Sequence, residues 1–198
     1  AARIPACDTD LPEHVDVPHV LAVKRFDRGD SERRVHMEEM AQAMGYPPKR
    51  KYGLGLEDDF PRMLTLLDRL SSNPSGDVQE AVRRLVAFTL MGNVDAHLKN
   101  WALLYPDGRT PRLSPLYDPA CVTAWFDEMG EQEYALNRQV DRKLSALDWT
   151  SLRVLIDKAT VPRASRLVQI AKQTVQRARD AWPRVLEGAP DNLRRSVT

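Results

Sequence analysis

A polar run from Gly92 to Asn100 carries the residue types that phosphoryl transfer requires. Asp95 is followed five positions later by Asn100, and Asp118 stands eighteen residues beyond Asn100. An aspartate can accept the proton of an attacking hydroxyl group, and the side-chain oxygens of aspartate and asparagine are suitable ligands for Mg²⁺. Kinase-type catalytic loops use an Asp, an Asn five positions later and a downstream Asp for these tasks. The order of residues therefore predicts a phosphotransferase site.

The sequence before this run predicts a buried helix that ends where the run begins. Apolar residues recur at helical spacing, at Val78, Val82, Leu85, Val86 and Leu90. Gly92 then takes the position just past a helix end that glycine favours, so the run is predicted to be a loop, where functional side chains are often displayed. The alternative, of similar weight from spacing alone, is that Asn93, Asp95 and Asn100 only cap a turn.

The sequence after the run predicts a β-hairpin. The segment 101–105 is apolar and aromatic, Pro106-Asp107-Gly108 is a turn signal, and 112–117 returns as a second strand interrupted by Pro115. Such a hairpin would carry Asp118 back beside Asn100. We therefore expect the oxygens of Asp95, Asn100 and Asp118 to converge on one accessible cleft and to share one or two Mg²⁺ ions.

Several segments, taken in this order, resemble the HipA family of bacterial serine/threonine kinases, which act as toxins of toxin–antitoxin modules. The resemblance covers about Val20 to Leu144. It is carried by Lys24-Arg25-Phe26-Asp27-Arg28, by 34–45 and 49–52, by Asn93-x-Asp95-x-His97-x-Lys99-Asn100, and by Leu116-Tyr117-Asp118-Pro119. In the family, the first segment is the hinge between lobes, and 34–45 resembles the helix that follows it.

The resemblance implies a role for each matching residue. Asp95 matches the catalytic base, and Asn100 and Asp118 match the metal ligands. Lys24, Arg25 and Phe26 fall where the hinge passes the adenine of ATP, and Asp27 falls near the ribose. Further residues implied to contact the nucleotide are His97, Leu98, Lys99, Asn100, Tyr117 and Asp118. From the residues alone, Phe26 would instead be a core residue, and Asp27 and Arg28 a surface ion pair.

The expected fold is mainly α with a few short strands (α+β), a protein-kinase-like large lobe of the HipA type with the small lobe largely missing. We expect residues 1–28 to form the last small-lobe strands and the hinge, and 29–198 to form the helical lobe. A kinase needs a Gly-rich loop and a lysine before the hinge, whereas the first glycine is Gly29 and Gly53-Leu54-Gly55 lies beyond the hinge. The chain alone is therefore expected to bind ATP–Mg²⁺ weakly and to show little activity.

Other elements are predicted from local signals. We expect residues 1–19 to be irregular and the last residues to be frayed. Helices are expected over about 36–44, after Asp58-Asp59, and through Ile156 from a cap at Ser145 or Asp148. A long helix is expected from Pro162, interrupted at Trp182-Pro183.

Composition limits the classes of protein to consider. Hydrophobic residues make up 42%, charged residues 29%, and the net charge is +1, so global charge gives no case for a nucleic-acid or membrane partner. No apolar run approaches the roughly 20 residues of a membrane span. Cys7 and Cys121 lie far apart, and the four histidines show no metal-ligand spacing. A cytoplasmic location is expected.

The expected function is transfer of the ATP γ-phosphoryl group to a protein serine or threonine. The resemblance implies Mg²⁺ as cofactor, a protein substrate such as an aminoacyl-tRNA synthetase, and a HipB-like DNA-binding antitoxin, with DNA contacted only through that complex. The basic C-terminal segment is expected to be a solvated helix face. Two alternatives stay open. One is a non-catalytic kinase lobe that binds a partner; the other is an aminoglycoside-kinase type phosphotransferase, although those enzymes carry His where this chain has Asn93.

Overall fold

The computed structural model describes residues 2–4, 20–22, 25–28, 33–52, 58–125 and 147–197. The chain divides into two compact units, Ala1–Val35 and His36–Thr198. In the first unit, β1 (Ala2–Ile4) pairs antiparallel with β2 (Val20–Ala22), with Ala2 opposite Ala22. The expectation of an irregular start is therefore wrong for Ala2–Ile4, because a strand 16 residues later supplies its hydrogen-bond partners. Residues 5–19 lie outside the described residues.

The second unit is, over its described residues, mainly helical with one small sheet, which confirms the expected α+β class. Its helices are α1 (Met40–Ala43), α2 (Asp59–Leu70), α3 (Pro74–Leu90), α4 (Trp149–Lys158), α5 (Ala164–Val185) and α6 (Asp191–Val197). Two short 3₁₀ helices span Leu98–Asn100 and Val122–Trp125.

The sheet has the order β3-β4-β5, with β3 at His36–Glu39, β4 at Ala102–Tyr105 and β5 at Arg112–Leu113, all antiparallel. The predicted helix over 36–44 is wrong in its first half, because His36–Glu39 pairs with β4 and only Met40–Ala43 is helical. The predicted hairpin is present, but its second strand is only two residues long. Pro115 has no N–H to extend the ladder.

The core is built around α3, which packs against α2 and α5. At its centre the Trp101 ring is fully buried and makes edge contacts with Phe60 at 5.8 Å and Phe88 at 5.6 Å between centroids. These three rings come from the residue that follows the polar run, from α2 and from α3. The polar run is therefore tied directly to the most buried part of the unit.

The C-terminal helices differ in part from expectation. Asp148 caps α4 as predicted, since its carboxylate accepts a hydrogen bond from the Ser151 N–H at 2.7 Å. Pro183 does not interrupt α5, which continues to Val185, and the last residues form α6. Pro183 lies in the last turn of α5, so only a terminal hydrogen bond is lost there. In the described ranges, no helix combines the length and apolarity needed to cross a membrane.

Candidate functional site

The polar run begins with a turn that only glycine fits. α3 ends at Leu90, and Gly92 has a φ of +68°, a backbone conformation that disfavours other residues. A Cβ atom at Gly92 would lie 1.8 Å from the Thr123 Oγ1. The Thr123 N–H donates to the Gly92 carbonyl at 3.2 Å, and the Asn93 N–H donates to the Phe88 carbonyl at 2.8 Å. The predicted helix end and loop are thereby confirmed. Backbone hydrogen bonds join the start of the loop both to Phe88 and to Thr123.

The other end of the run is anchored by Trp101. Its indole Nε1–H donates to the Ala96 carbonyl at 3.2 Å. The Trp101 carbonyl accepts from the Met40 N–H at 2.7 Å, which joins the run to the start of α1. A buried aromatic that also donates a hydrogen bond fixes the neighbouring backbone strongly. The polar run from Gly92 to Asn100, together with Trp101, is therefore a rigid support for the side chains that it carries.

Asn100 and Asp95 are linked across this loop. Asn100 is 8% exposed, and its side-chain Nδ2 donates to the Asp95 backbone carbonyl at 3.0 Å. This bond leaves the Asn100 Oδ1 without a hydrogen bond from any described residue. Asp95 is exposed, and its carboxylate forms no ion pair or hydrogen bond with a described residue. The hydrogen bond that orders the loop thus leaves both the Asp95 carboxylate and the Asn100 Oδ1 available to bind a proton or a cation.

The hairpin return is fastened to α3 before it reaches Asp118. The buried Asp77 carboxylate accepts from the Leu113 N–H at 2.8 Å, and the Arg84 guanidinium donates to the Ser114 carbonyl at 2.8 Å. The Tyr117 hydroxyl then donates to the Lys99 carbonyl at 2.6 Å. This last bond brings the residue before Asp118 into contact with the residue before Asn100.

Asp118 itself is exposed and has a φ of +53°. A left-handed backbone is uncommon outside glycine, although Asp and Asn tolerate it better than most residues. Burial raises the pKa of Tyr117, and the charges of Glu39 and Asp118 raise it further. The Tyr117 hydroxyl therefore remains a neutral donor to the Lys99 carbonyl over the physiological pH range.

His97 is a buried residue whose pKa is affected by both carboxylates. It is 8% exposed, and its Nδ1 is buried without a hydrogen-bond partner among the described residues. Burial lowers the pKa of His97, while the charges of Asp95 and Asp118 oppose that shift. The negative charges of both aspartates thus act on the pKa of the same imidazole, but the effect of burial is larger and the pKa is lowered.

Two residues that the sequence did not assign to the site also contact the loop. The Lys51 carbonyl accepts from the Leu98 N–H at 3.0 Å. The Tyr52 ring packs edge-on against the His97 ring with centroids 5.6 Å apart, and the Lys51 Nζ lies 4.7 Å from the Tyr52 centroid. Both residues belong to the segment 49–52 that carries part of the resemblance, but nothing in the sequence pointed to their partners, which lie 47 residues after Lys51 and 45 residues after Tyr52.

The hinge residues belong to the first unit and are described by themselves. Lys24 lies outside the described residues, and Phe26 is half-buried. The Asp27 carboxylate is 8% exposed and forms ion pairs at 2.6 Å with Arg25 and with Arg28. The hydrogen bonds from Arg25 lower the pKa of Asp27 to about 2, against the effect of burial. The sequence alone suggested a surface ion pair between Asp27 and Arg28. The ion pair is present, but Asp27 is buried and not on the surface.

The donor set of the loop suits a hard cation. Asn100 Oδ1 and the Asp118 carboxylate are oxygen ligands of the kind Mg²⁺ takes, usually with several waters retained. In the part of the chain that the structure describes, no three His, Cys, Asp or Glu side chains are grouped to hold a metal. Asn100 and Asp118 together could therefore supply two oxygen ligands to such a cation.

Comparison with known proteins gives consistent matches. The family model described as the HipA-like C-terminal domain matches residues 1–182. "Putative kinase Y4dM" of Sinorhizobium fredii is 41% identical over 174 residues, which cover 87% of this chain and 40% of that protein. "Serine/threonine-protein kinase toxin HipA" of Shewanella oneidensis is 28% identical over 188 residues, covering 82% of this chain and 42% of the toxin. The chain thus spans about two fifths of the length of these relatives.

A solved structure agrees in fold. It is the Shewanella oneidensis toxin–antitoxin complex of HipA, HipB and operator DNA, with a TM-score of 0.69 and 22% identity over 88% of this chain and 44% of that chain. At this identity the match shows the fold, a mainly helical fragment of a HipA-type protein. Because the family model covers 182 of 198 residues, this chain belongs to the HipA-like C-terminal domain family.

Proposed function

We propose that this protein transfers the γ-phosphoryl group of ATP to a serine or threonine hydroxyl of another protein. The observation that carries the proposal is the Asn100–Asp95 hydrogen bond. It fixes the loop, leaves the Asp95 carboxylate exposed and unpaired among the described residues, and leaves the Asn100 oxygen available. A capping role alone would use the carboxylate of Asp95 as a hydrogen-bond acceptor, and it accepts none from a described residue.

In the proposed reaction, Asp95 acts as the general base. Its carboxylate accepts the proton of the substrate hydroxyl as that oxygen forms a bond to the γ-phosphorus. The bond from the γ-phosphorus to its bridging oxygen breaks, and the electron pair leaves with ADP. Such reactions depend on positioning and electrostatic stabilisation, and the anchors at Gly92 and Trp101 hold Asp95 in place.

The remaining site residues are proposed to hold the cofactor. Asn100 and Asp118 would bind Mg²⁺, which neutralises charge on the phosphates when bound. The segment from His97 to Lys99 and Tyr117 would lie beside the phosphates. Tyr117 also keeps the two metal ligands in register through its bond to the Lys99 carbonyl. For the hinge, we propose that Lys24, Arg25, Phe26 and Asp27 contact the adenosine portion of ATP.

The partners are proposed from the relatives. The solved relative is a complex with HipB and operator DNA, and we propose a HipB-like antitoxin partner for this protein, with DNA contacted through the antitoxin. An aminoacyl-tRNA synthetase is the proposed substrate class. The proposed division of the chain remains residues 1–28 as the last small-lobe strands and the hinge, and residues 29–198 as a single helical lobe.

A transfer assay tests the proposal against its alternatives. The full-length protein is incubated with Mg²⁺ and ATP labelled on its γ-phosphate, with protein acceptors or with an aminoglycoside. Label on serine or threonine that depends on Asp95 supports the proposal. Label transferred only to the aminoglycoside would support a small-molecule phosphotransferase. No transfer to either acceptor, with the antitoxin partner still bound, would support a non-catalytic lobe.

A further inference from the structure

The turn at Lys51 and Tyr52 is a structural support of the proposed catalytic loop. The Lys51 carbonyl accepts a hydrogen bond from the Leu98 N–H at 3.0 Å, in the middle of the segment between Asp95 and Asn100. This backbone hydrogen bond fixes the backbone of Lys51 beside the loop. The side chains of Lys51 and of its neighbour Tyr52 therefore start next to the proposed site.

The two side chains hold a positive charge at the edge of the loop. The Tyr52 ring is 46% exposed and packs edge-on against the His97 ring, with an interplanar angle of 75°. The Lys51 ammonium lies over that ring, 4.7 Å from its centroid, in the range of a cation–π contact. Such a contact favours conformations of the lysine in which its ammonium lies on the Tyr52 ring.

The charge of Lys51 acts on the groups proposed for chemistry. Its interaction with Tyr52 raises the pKa of Lys51, burial opposes this, and the charge of Asp95 raises it again. Lys51 also contributes to the lowered pKa of His97. Among the described residues, no carboxylate forms an ion pair with Lys51. A cation that lies on the Tyr52 ring, which itself packs against His97, and that has no ion-pair partner among the described residues can accept an anionic group.

We propose that Lys51 is a binding residue for the γ-phosphoryl group, held in position by Tyr52 and His97. This proposal rests on the proposed kinase function. During transfer, the oxygen of the substrate hydroxyl bonds to the γ-phosphorus, the bond to the bridging oxygen breaks, and the hydroxyl proton goes to Asp95. The Lys51 ammonium stays charged throughout and offsets the negative charge of the non-bridging γ-oxygens.

The test compares three variants in the full-length protein: Lys51→Met, Lys51→Arg and Lys49→Met. Lys49 is an exposed lysine of the same basic run and serves as the matched control. The ligands are Mg²⁺ with an unhydrolysable imido analogue of ATP, and Mg²⁺ with ADP, titrated calorimetrically. Lys51→Met should weaken the analogue on the order of tenfold, as for a lost hydrogen bond to a charged group, and leave ADP binding unchanged.

Lys51→Arg should retain most of the affinity for the analogue, and Lys49→Met should match the wild type. Turnover of Lys51→Met should fall by about 10²-fold, the lower end of the loss typical for one removed transition-state donor. Equal weakening of the analogue and ADP would indicate a structural role and overturn the proposal, as would unchanged binding of both. If Asp95→Asn abolishes transfer while Lys51→Met does not, only this inference fails. If Asp95→Asn is fully active, the proposed function fails.

Discussion

The side-chain amide of Asn100 and the backbone carbonyl of Asp95 are joined by a 3.0 Å hydrogen bond that closes the proposed catalytic loop. Asn100 therefore has two separable tasks, since its nitrogen shapes the loop and its oxygen is available for a cation. Asn100→Asp keeps the oxygen and the shape but removes the donor. We expect turnover to fall by about tenfold, in line with one lost hydrogen bond.

In the same variant, the Mg²⁺ concentration for half-maximal activity should not rise, because a carboxylate is at least as good a ligand for Mg²⁺. Steady-state kinetics across a Mg²⁺ series measure both quantities. A higher Mg²⁺ requirement with unchanged maximal turnover would show that Asn100 has no role in shaping the loop.

Asp118→Asn isolates the charge of the second proposed metal ligand. Asn tolerates the left-handed backbone at this position, so the variant should keep its melting temperature. With one negative charge removed, the half-maximal Mg²⁺ concentration should rise by at least about tenfold, a loss typical of residues that tune a metal site. Excess Mg²⁺ should restore part of the activity. An unchanged Mg²⁺ dependence would remove Asp118 from the metal site.

Gly92→Ala should destabilise the second unit more than Gly45→Ala. Both glycines have a positive φ, +68° and +73°, which costs alanine about 1–2 kcal/mol. Only at Gly92 does the added Cβ meet another atom, the Thr123 Oγ1, whereas nothing lies within 4 Å at Gly45. Urea unfolding should show an additional loss of at least about 1 kcal/mol for Gly92→Ala, as expected for overpacking. Equal losses would mean that Thr123 moves aside freely.

Tyr46→Phe should destabilise the junction between α1 and α2. The Tyr46 hydroxyl donates to the fully buried Asp59 carboxylate at 2.8 Å and accepts from Arg62 at 2.5 Å. Removing it should lower the free energy of unfolding by about 1–3 kcal/mol. The control is Tyr52→Phe, which keeps the ring and removes a more exposed hydroxyl.

The pH dependence of this effect follows from a raised pKa. Burial, together with Asp59, raises the pKa of Tyr46 to about 12, above its ordinary value of about 10. The stabilisation is therefore fully present below about pH 10 and is lost as the pH rises through about 12. Unfolding curves of wild type and Tyr46→Phe should keep a constant difference from pH 7 to 9. A difference that shrinks in that interval would contradict the assignment.

Signals within a few neighbouring residues predicted the helix ends, the cap and the turn, because neighbouring residues determine these features. The apolar repeat through Leu90 and the glycine at position 92 identified α3 and its end, and the start of α4 was predicted at Ser145 or Asp148, of which Asp148 is the cap. The hairpin after Trp101 was found because a Pro-Asp-Gly turn separates its strands. These signals act within a few residues, so no knowledge of distant partners was needed.

The sequence failed where a distant partner decides the structure. His36–Glu39 is a strand because it pairs with Ala102–Tyr105, more than 60 residues later. The contacts of Lys51 and Tyr52 with the loop at 97–98 also arise from tertiary packing. Asp95, Asn100 and Asp118 could be nominated from spacing and resemblance. Their support by Trp101, Arg84 and Tyr117 could not, because hydrogen bonds between separate elements leave no periodic pattern.

The most direct test of the central claim is turnover of Asp95→Asn in the full-length protein, with Asp68→Asn on α2 as the control. Asparagine keeps the size of Asp95 and removes the negative charge and basicity. Because the Asp95 carboxylate supports no bond of the fold among the described residues, the melting temperature should not change. We predict a loss of phosphoryl transfer of about 10²–10⁴-fold, the usual contribution of a general base. Near wild-type turnover with an unchanged melting temperature would contradict the account and leave Asp95 as a residue of the turn.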